Sequence, residues 1–173
     1  MLVKEKRSKV LAEIIIDNSH LSLEEKYVEL TKQLKGLLNK DENLITNLAN
    51  FTAILKQSFE KISWVGFYLF DNEKLYLGPF QGKVACTSIK IGQGVCGTAA
   101  QKRESVVVPD VNKFPGHIFC DPDSKSEIVI PIFLNNNLFG VLDIDSNSFD
   151  SFNEIDKKYL EEMVKFLSSE IIF

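Results

Sequence analysis

The chain has 173 residues, a net charge of −4 and ordinary apolar content, which suits one domain with its own core. The mild negative charge argues against a nucleic-acid footprint, and no apolar run approaches the ~20 residues needed to cross a bilayer, so neither nucleic acid nor membrane is an expected partner. The three cysteines, Cys86, Cys96 and Cys120, form no Cys-x-x-Cys pair, and with only His20 and His117 beside them they match no zinc spacing. No metal and no bound cofactor are therefore expected.

The first sixteen residues are basic and then apolar, but Glu5 and Glu13 interrupt the charge and no small-residue cleavage site follows. Residues 1–20 are read as a helical or frayed extension rather than a leader, with one domain over residues 21–173. An odd cysteine count without a leader points to a reducing, cytoplasmic setting. Ser22 followed by Glu25 is a capping box, and Leu23, Tyr27, Leu30, Leu34 and Leu37 then form one apolar stripe of a helix. After a break at Asn39-Lys40-Asp41, Leu44, Leu48, Phe51, Leu55 and Phe59 mark a second helix. Both stripes read as core.

From Ile62 the period changes to two. Ser63–Phe70 reads as a strand, Asp71–Lys74 as its turn and Leu75–Leu77 as the partner of a hairpin. Ser88–Ile91 is a short strand. A glycine-rich turn from Gly92 to Gly97 then opens a short helix, whose first N–H groups suit an anion such as a carboxylate and would lower the pKa of Cys96. Ser105–Val108 is a strand ended by Pro109. The segment from Val111 to Ser126, broken by Pro115, Gly116 and Pro122, is predicted to have no regular structure; loops of that length are usually functional. Glu127–Leu134 and Leu138–Asp145 form a second hairpin around Asn135–Asn137, and a last helix begins near Asn153. Helices, hairpin-linked strands and a closing helix argue for an α+β fold with an antiparallel sheet.

Residues two apart on a strand share a face. Asp143 and Asp145 therefore point the same way, after the apolar approach Leu138–Leu142, and Glu127 at the head of the neighbouring strand can join them. No lysine or arginine lies between Lys125 and Lys157. Such carboxylates either cap loops or await a cation such as the α-ammonium of a free amino acid, with like charges raising at least one pKa and supplying an acid. On the earlier strand Trp64, Gly66 and Tyr68 share a face; the glycine leaves either a one-side-chain gap in a pocket wall or a bulge inside a core. Cys120 in the long loop is either a packed small hydrophobe or a nucleophile. A thiolate that attacks a sulfoxide sulfur needs an acid for the departing oxygen and a second thiol to resolve the sulfenic acid. Cys86 and Cys96 are available for that second step.

Taken together, Trp64-Val65-Gly66-Phe67-Tyr68, Leu77-Gly78-Pro79-Phe80-Gln81-Gly82, Gly94-Val95-Cys96-Gly97-Thr98-Ala99, Gly116-His117-Ile118, Cys120-Asp121, Ser126-Glu127-Ile128 and Gly140-Val141-Leu142-Asp143-Ile144-Asp145 resemble the free methionine-(R)-sulfoxide reductases, from about Ser22 to Leu167. The resemblance implies a single-domain enzyme with a GAF fold, an antiparallel sheet with the N-terminal and C-terminal helices on one face. It implies that Cys120 takes the sulfenic acid, that Cys86 resolves it and that Cys96 is a third participant. It implies that Glu127, Asp143 and Asp145 bind the substrate ammonium and help protonate the sulfoxide, while Trp64 and Tyr68 enclose the methyl end. The substrate implied is free methionine-(R)-sulfoxide and the external reductant thioredoxin, with room for a homodimer. Phe119 departs from the small residue the family carries before the loop cysteine and bears on lid packing. The rival reading is a GAF module that binds a small ligand, or senses redox state through its thiols, without catalysis. That module is normally joined to an output domain, for which this chain leaves no room after its last helix.

Overall fold

The computed structural model describes residues 20–118 and 120–172; the extension expected over residues 1–20, apart from His20, and the lid residue Phe119 lie outside the described residues. Helix α1 (Leu23–Leu37) opens on the predicted capping box: Ser22 Oγ accepts the Glu25 N–H, and the Glu25 carboxylate accepts the Ser22 N–H. Helix α2 (Leu44–Ser58) is capped by Asn43, whose side chain accepts the Ile45 N–H. Then follow β1 (Trp64–Phe70), β2 (Lys74–Gln81), β3 (Ser88–Lys90), α3 (Gly94–Lys102) and β4 (Val106–Val108). The hairpin β5 (Ser126–Leu134) and β6 (Asn137–Ser146) leads to α4 (Glu154–Phe166), which opens on a second capping box between Asn153 and Asp156. A single π turn continues it over Leu167–Ile172.

The six strands make one antiparallel sheet in the order β3-β2-β1-β6-β5-β4. Both of its faces are covered, which is why β1 and β5 read as near-continuous apolar runs rather than clean alternations. On one face Val65, Phe67, Leu69, Ile128, Ile130, Ile132, Leu142 and Ile144 pack against Tyr27, Leu34, Leu48, Phe51, Leu55, Leu160 and Met163 of α1, α2 and α4. Each of these fully buried side chains contributes roughly 1.5–3 kcal/mol, so this face carries most of the stability. The other face is smaller, with Trp64, Tyr68, Val129 and Val141 packed against Val95, Cys96 and Ala99 of α3.

Three segments differ from the sequence-based expectation. Strand β2 extends to Gln81, through Gly78-Pro79. The register steps from Gly66↔Phe80 to Tyr68↔Leu77, so β2 gains one residue there, and the bulge accommodates a proline that cannot donate to the ladder. The long loop holds a 3-10 turn at Val111–Lys113, capped by Asp110, whose carboxylate accepts the Asn112 N–H. The β5–β6 turn is tighter than expected: Leu134 pairs with Asn137, and only Asn135 and Asn136 lie between, both left-handed (φ 48° and 66°) as a two-residue hairpin requires.

Candidate active site

Strand register assembles the acidic group. Gly66, Asp143 and Val129 stand side by side across β1, β6 and β5, and one pleat away so do Trp64, Asp145 and Glu127. Glu127 and Asp143 are buried (5% and 6% exposed) and Asp145 is half-buried. They line, with Trp64, Tyr68 and Cys96, a cavity of about 40 Å³, room for a few water-sized groups. Among the described residues no lysine or arginine lines it. Asp145 Oδ1 accepts the Ser124 hydroxyl at 2.6 Å, whereas Asp143 Oδ1 is buried with no hydrogen-bond partner among the described residues.

Removal from water disfavours three anions so close together. Burial first, and then Asp143 and Asp145, push the Glu127 carboxyl well above the usual carboxylate range. Burial and Asp143 push Asp145 up in the same way. Burial lifts Asp143 to about 6, opposed by its hydrogen bonds with Cys96 and Glu127. Burial and mutual repulsion thus favour the protonated form of the carboxyl groups in this cluster.

Cys96 overturns one expectation. It lies in the first turn of α3, where a helix dipole lowers a thiol pKa by an amount worth roughly 0.3–1 kcal/mol. It is also buried, with its Sγ 4.0 Å from Glu127 Oε1. Burial, then Asp143 and Glu127, push its pKa well above the ordinary thiol value. Full burial shifts a pKa by up to 3–5 units, several times the dipole effect, so Cys96 is held as a thiol.

Cys86 and Cys120 are joined by a disulfide, with Cα atoms 5.5 Å apart, and Cys120 lines the same cavity. The aromatic strand positions hold the Cys86 loop in place: the Trp64 indole N–H donates to the Lys83 carbonyl at 3.0 Å, and the Tyr68 hydroxyl to the Cys86 carbonyl at 3.0 Å. Burial, with Asp143 next, raises the Tyr68 pKa and keeps that hydroxyl a donor. Lys83 Nζ in turn reaches Asp121 Oδ1 at 3.1 Å and Asp123 Oδ2 at 2.5 Å, linking the two cysteine loops.

The gap expected over Gly66 is filled. A Cβ built there would run into the Trp64 ring and Phe80 Cβ, because the indole lies back across the glycine and stacks on Phe80 with centroids 5.5 Å apart. The cavity opens instead toward Tyr68 and α3. Gly94 at the start of α3 is left-handed (φ +60°), the turn that brings Val95 and Cys96 to the cavity wall.

Five of the six residues singled out for chemistry, Cys96, Cys120, Glu127, Asp143 and Asp145, line this one cavity, as do Trp64 and Tyr68; the sixth, Cys86, joins them through its bond to Cys120. Among the other liners, His117 and Ser124 are polar residues not anticipated as site residues. His117, its side chain 8% exposed, sits with Nδ1 3.8 Å from Glu127 Oε2, and burial lowers its pKa so that the ring is neutral at pH 7. Ser124 orients Asp145. The available signal was their place in the Cys120 loop; a polar residue in a loop shows its direction only once the loop is folded.

A six-stranded antiparallel sheet with helices behind and a cavity in front is an architecture suited to a small ligand, and residues 47–171 match the sequence family described as a GAF domain. The chain is 54% identical over 149 residues to GAF domain-containing protein A of Dictyostelium discoideum, covering 86% of this chain and 94% of that protein. It is 42% identical over 164 residues to the free methionine-R-sulfoxide reductase of Saccharomyces cerevisiae, covering 90% and 91% respectively. The X-ray structure of free methionine-R-sulfoxide reductase from Neisseria meningitidis in complex with its substrate superimposes with a TM-score of 0.79 at 46% identity, covering 82% of this chain and 86% of that one. The chain belongs to the GAF family and, within it, to the free methionine-R-sulfoxide reductases.

Proposed function

We propose that this protein reduces free methionine-(R)-sulfoxide to methionine, using Cys120 as nucleophile and Cys86 as resolving thiol. The observation that carries the reading is Asp143 Oδ1, buried and without a partner among the described residues, in an anionic cavity that no described lysine or arginine lines and that Cys120 of the Cys86–Cys120 disulfide also lines. A substrate α-ammonium there neutralises Asp143 and Asp145, while the α-carboxylate lies toward the N-terminus of α3. Methionine within a polypeptide has no α-ammonium and leaves the carboxylates unpaired, so selectivity for the free amino acid follows.

In the reduced enzyme the Cys120 thiolate attacks the sulfoxide sulfur while a protonated carboxyl, Glu127 by its burial, delivers a proton to the oxygen. The oxygen passes to Cys120 as a sulfenic acid, two electrons pass from thiol to sulfoxide, and methionine leaves. The Cys86 thiol then attacks the Cys120 sulfur, a sulfur–sulfur bond forms and water departs. A dithiol protein of the thioredoxin class reduces that disulfide and completes the cycle. Cys96, held as a thiol, serves as a donor in the pocket wall rather than as a nucleophile.

With dithiothreitol or thioredoxin as reductant, the protein is expected to consume free methionine-(R)-sulfoxide and leave the S epimer and the N-acetylated substrate largely untouched. Cys120→Ser is expected to bring turnover to background. Full activity in that variant would remove the nucleophile assignment. Ligand binding with no turnover of any sulfoxide would favour a non-catalytic GAF module.

A further inference from the structure

The acidic end of the cavity has a second chemistry. We propose that Cys96, Glu127 and Asp143 form a site for a thiophilic divalent cation of the zinc class, and that this ion excludes the substrate ammonium; the exclusion rests on the reading above. One donor atom from each residue lies within 4.8 Å of the other two, and all three side chains are buried. Among the described residues, Asp143 Oδ1 in the cavity wall has no partner, and no lysine or arginine lines the cavity to compete for the anions.

Zinc takes thiolate at about 2.3 Å and carboxylate at about 2.0–2.2 Å, so a tetrahedral ion places sulfur and oxygen about 3.6 Å apart. The Cys96 Sγ to Glu127 Oε1 separation is 4.0 Å, and a shift of a few tenths of an ångström closes it. Three protein ligands leave one position for water, for which the cavity has space. One sulfur and a small site with buried ligands suit zinc, cadmium or cobalt and disfavour magnesium and calcium, which demand six or more oxygens. Thiolate and carboxylate ligands must lose their protons to bind the ion, so binding releases protons and tightens as pH rises. Primary-structure spacing hides this site because its ligands come from α3, β5 and β6, with no two closer than 16 residues.

The disulfide makes the test clean. The chain has three cysteines, and in the oxidised protein Cys86 and Cys120 are bonded to each other. A near-ultraviolet thiolate-to-cobalt charge-transfer band on adding Co²⁺ to the oxidised protein therefore reports Cys96 alone. The expected result is one equivalent of Co²⁺ bound with that band, the band lost in Cys96→Ser, and affinity lower by about tenfold or more in Asp143→Asn. Zn²⁺ should bleach the band stoichiometrically, and saturating free methionine should bleach it too. Absence of the band in the oxidised wild-type protein overturns the proposal without need of any variant, as does a band unaffected by both substitutions or by free methionine. The readout needs no turnover, so an inactive protein that still shows the band and its loss on adding methionine would retain the cation site while removing the reductase reading.

Discussion

Two buried aspartates, on opposite sides of the sheet, are treated in opposite ways. Asp156 at the start of α4 accepts the Tyr27 hydroxyl at 2.8 Å and Lys61 Nζ at 2.6 Å, and its second oxygen accepts the Asn153 N–H at 2.9 Å. Asp143 on β6 has one oxygen without a partner and two further carboxylates beside it. The first charge is satisfied inside the fold and fixes α4 against α1. The second is left for something from outside to satisfy, which costs stability and marks where a cationic group binds.

The sharpest way to break this contrast is to remove the partner that Asp156 has. Lys61→Met leaves a buried carboxylate held only by a hydroxyl and one backbone N–H, and is expected to cost about 2–3 kcal/mol in urea unfolding, at the lower end for a broken buried pair because Lys61 is a quarter exposed. A loss under about 0.5 kcal/mol would mean that Asp156 does not depend on its lysine, and the comparison would fail.

Asp143→Asn should act in the reverse sense on stability. Burial raises the Asp143 pKa from 3.8 to about 6, so its contribution is fully present below about pH 4 and is lost as pH rises through about 6. The substrate-free protein is thus expected to be less stable at pH 8 than at pH 5, and Asp143→Asn to recover up to about 3 kcal/mol at pH 8. The same change removes a charged partner of the substrate ammonium and should raise KM about 10- to 100-fold with a smaller change in kcat. A variant less stable than wild type at pH 8, with unchanged KM, would show that Asp143 is a structural residue like Asp156.

The smallest effect concerns the surface. Lys83, exposed and paired with Asp121 and Asp123, joins the loops of Cys86 and Cys120. Lys83→Met is expected to slow disulfide formation in a single turnover by about two- to fivefold, with restoration by Lys83→Arg, because exposed pairs contribute little. A slowing of a hundredfold would place Lys83 among the groups that act on the reacting atoms.

Much of this was written locally in the chain. The Ser22–Glu25 box and the apolar stripes of α1, α2 and α4 depend on neighbours within a few residues, and a period of 3.6 reports the stripes directly. That Asp143 and Asp145 share a face was equally legible, since a pleat fixes it. What needed the tertiary structure was everything that depends on long-range pairing and on water. The β1–β6 register that sets Trp64 beside Asp145 joins residues some eighty positions apart. The direction of the Cys96 pKa shift reversed because burial outweighs a helix dipole, and burial is a property of what the rest of the chain packs on top. For the same reason the meeting of Cys86 with Cys120, and of Cys120 with the acidic strand ends, was decided by the way the loops close over the sheet and not by any spacing along the chain.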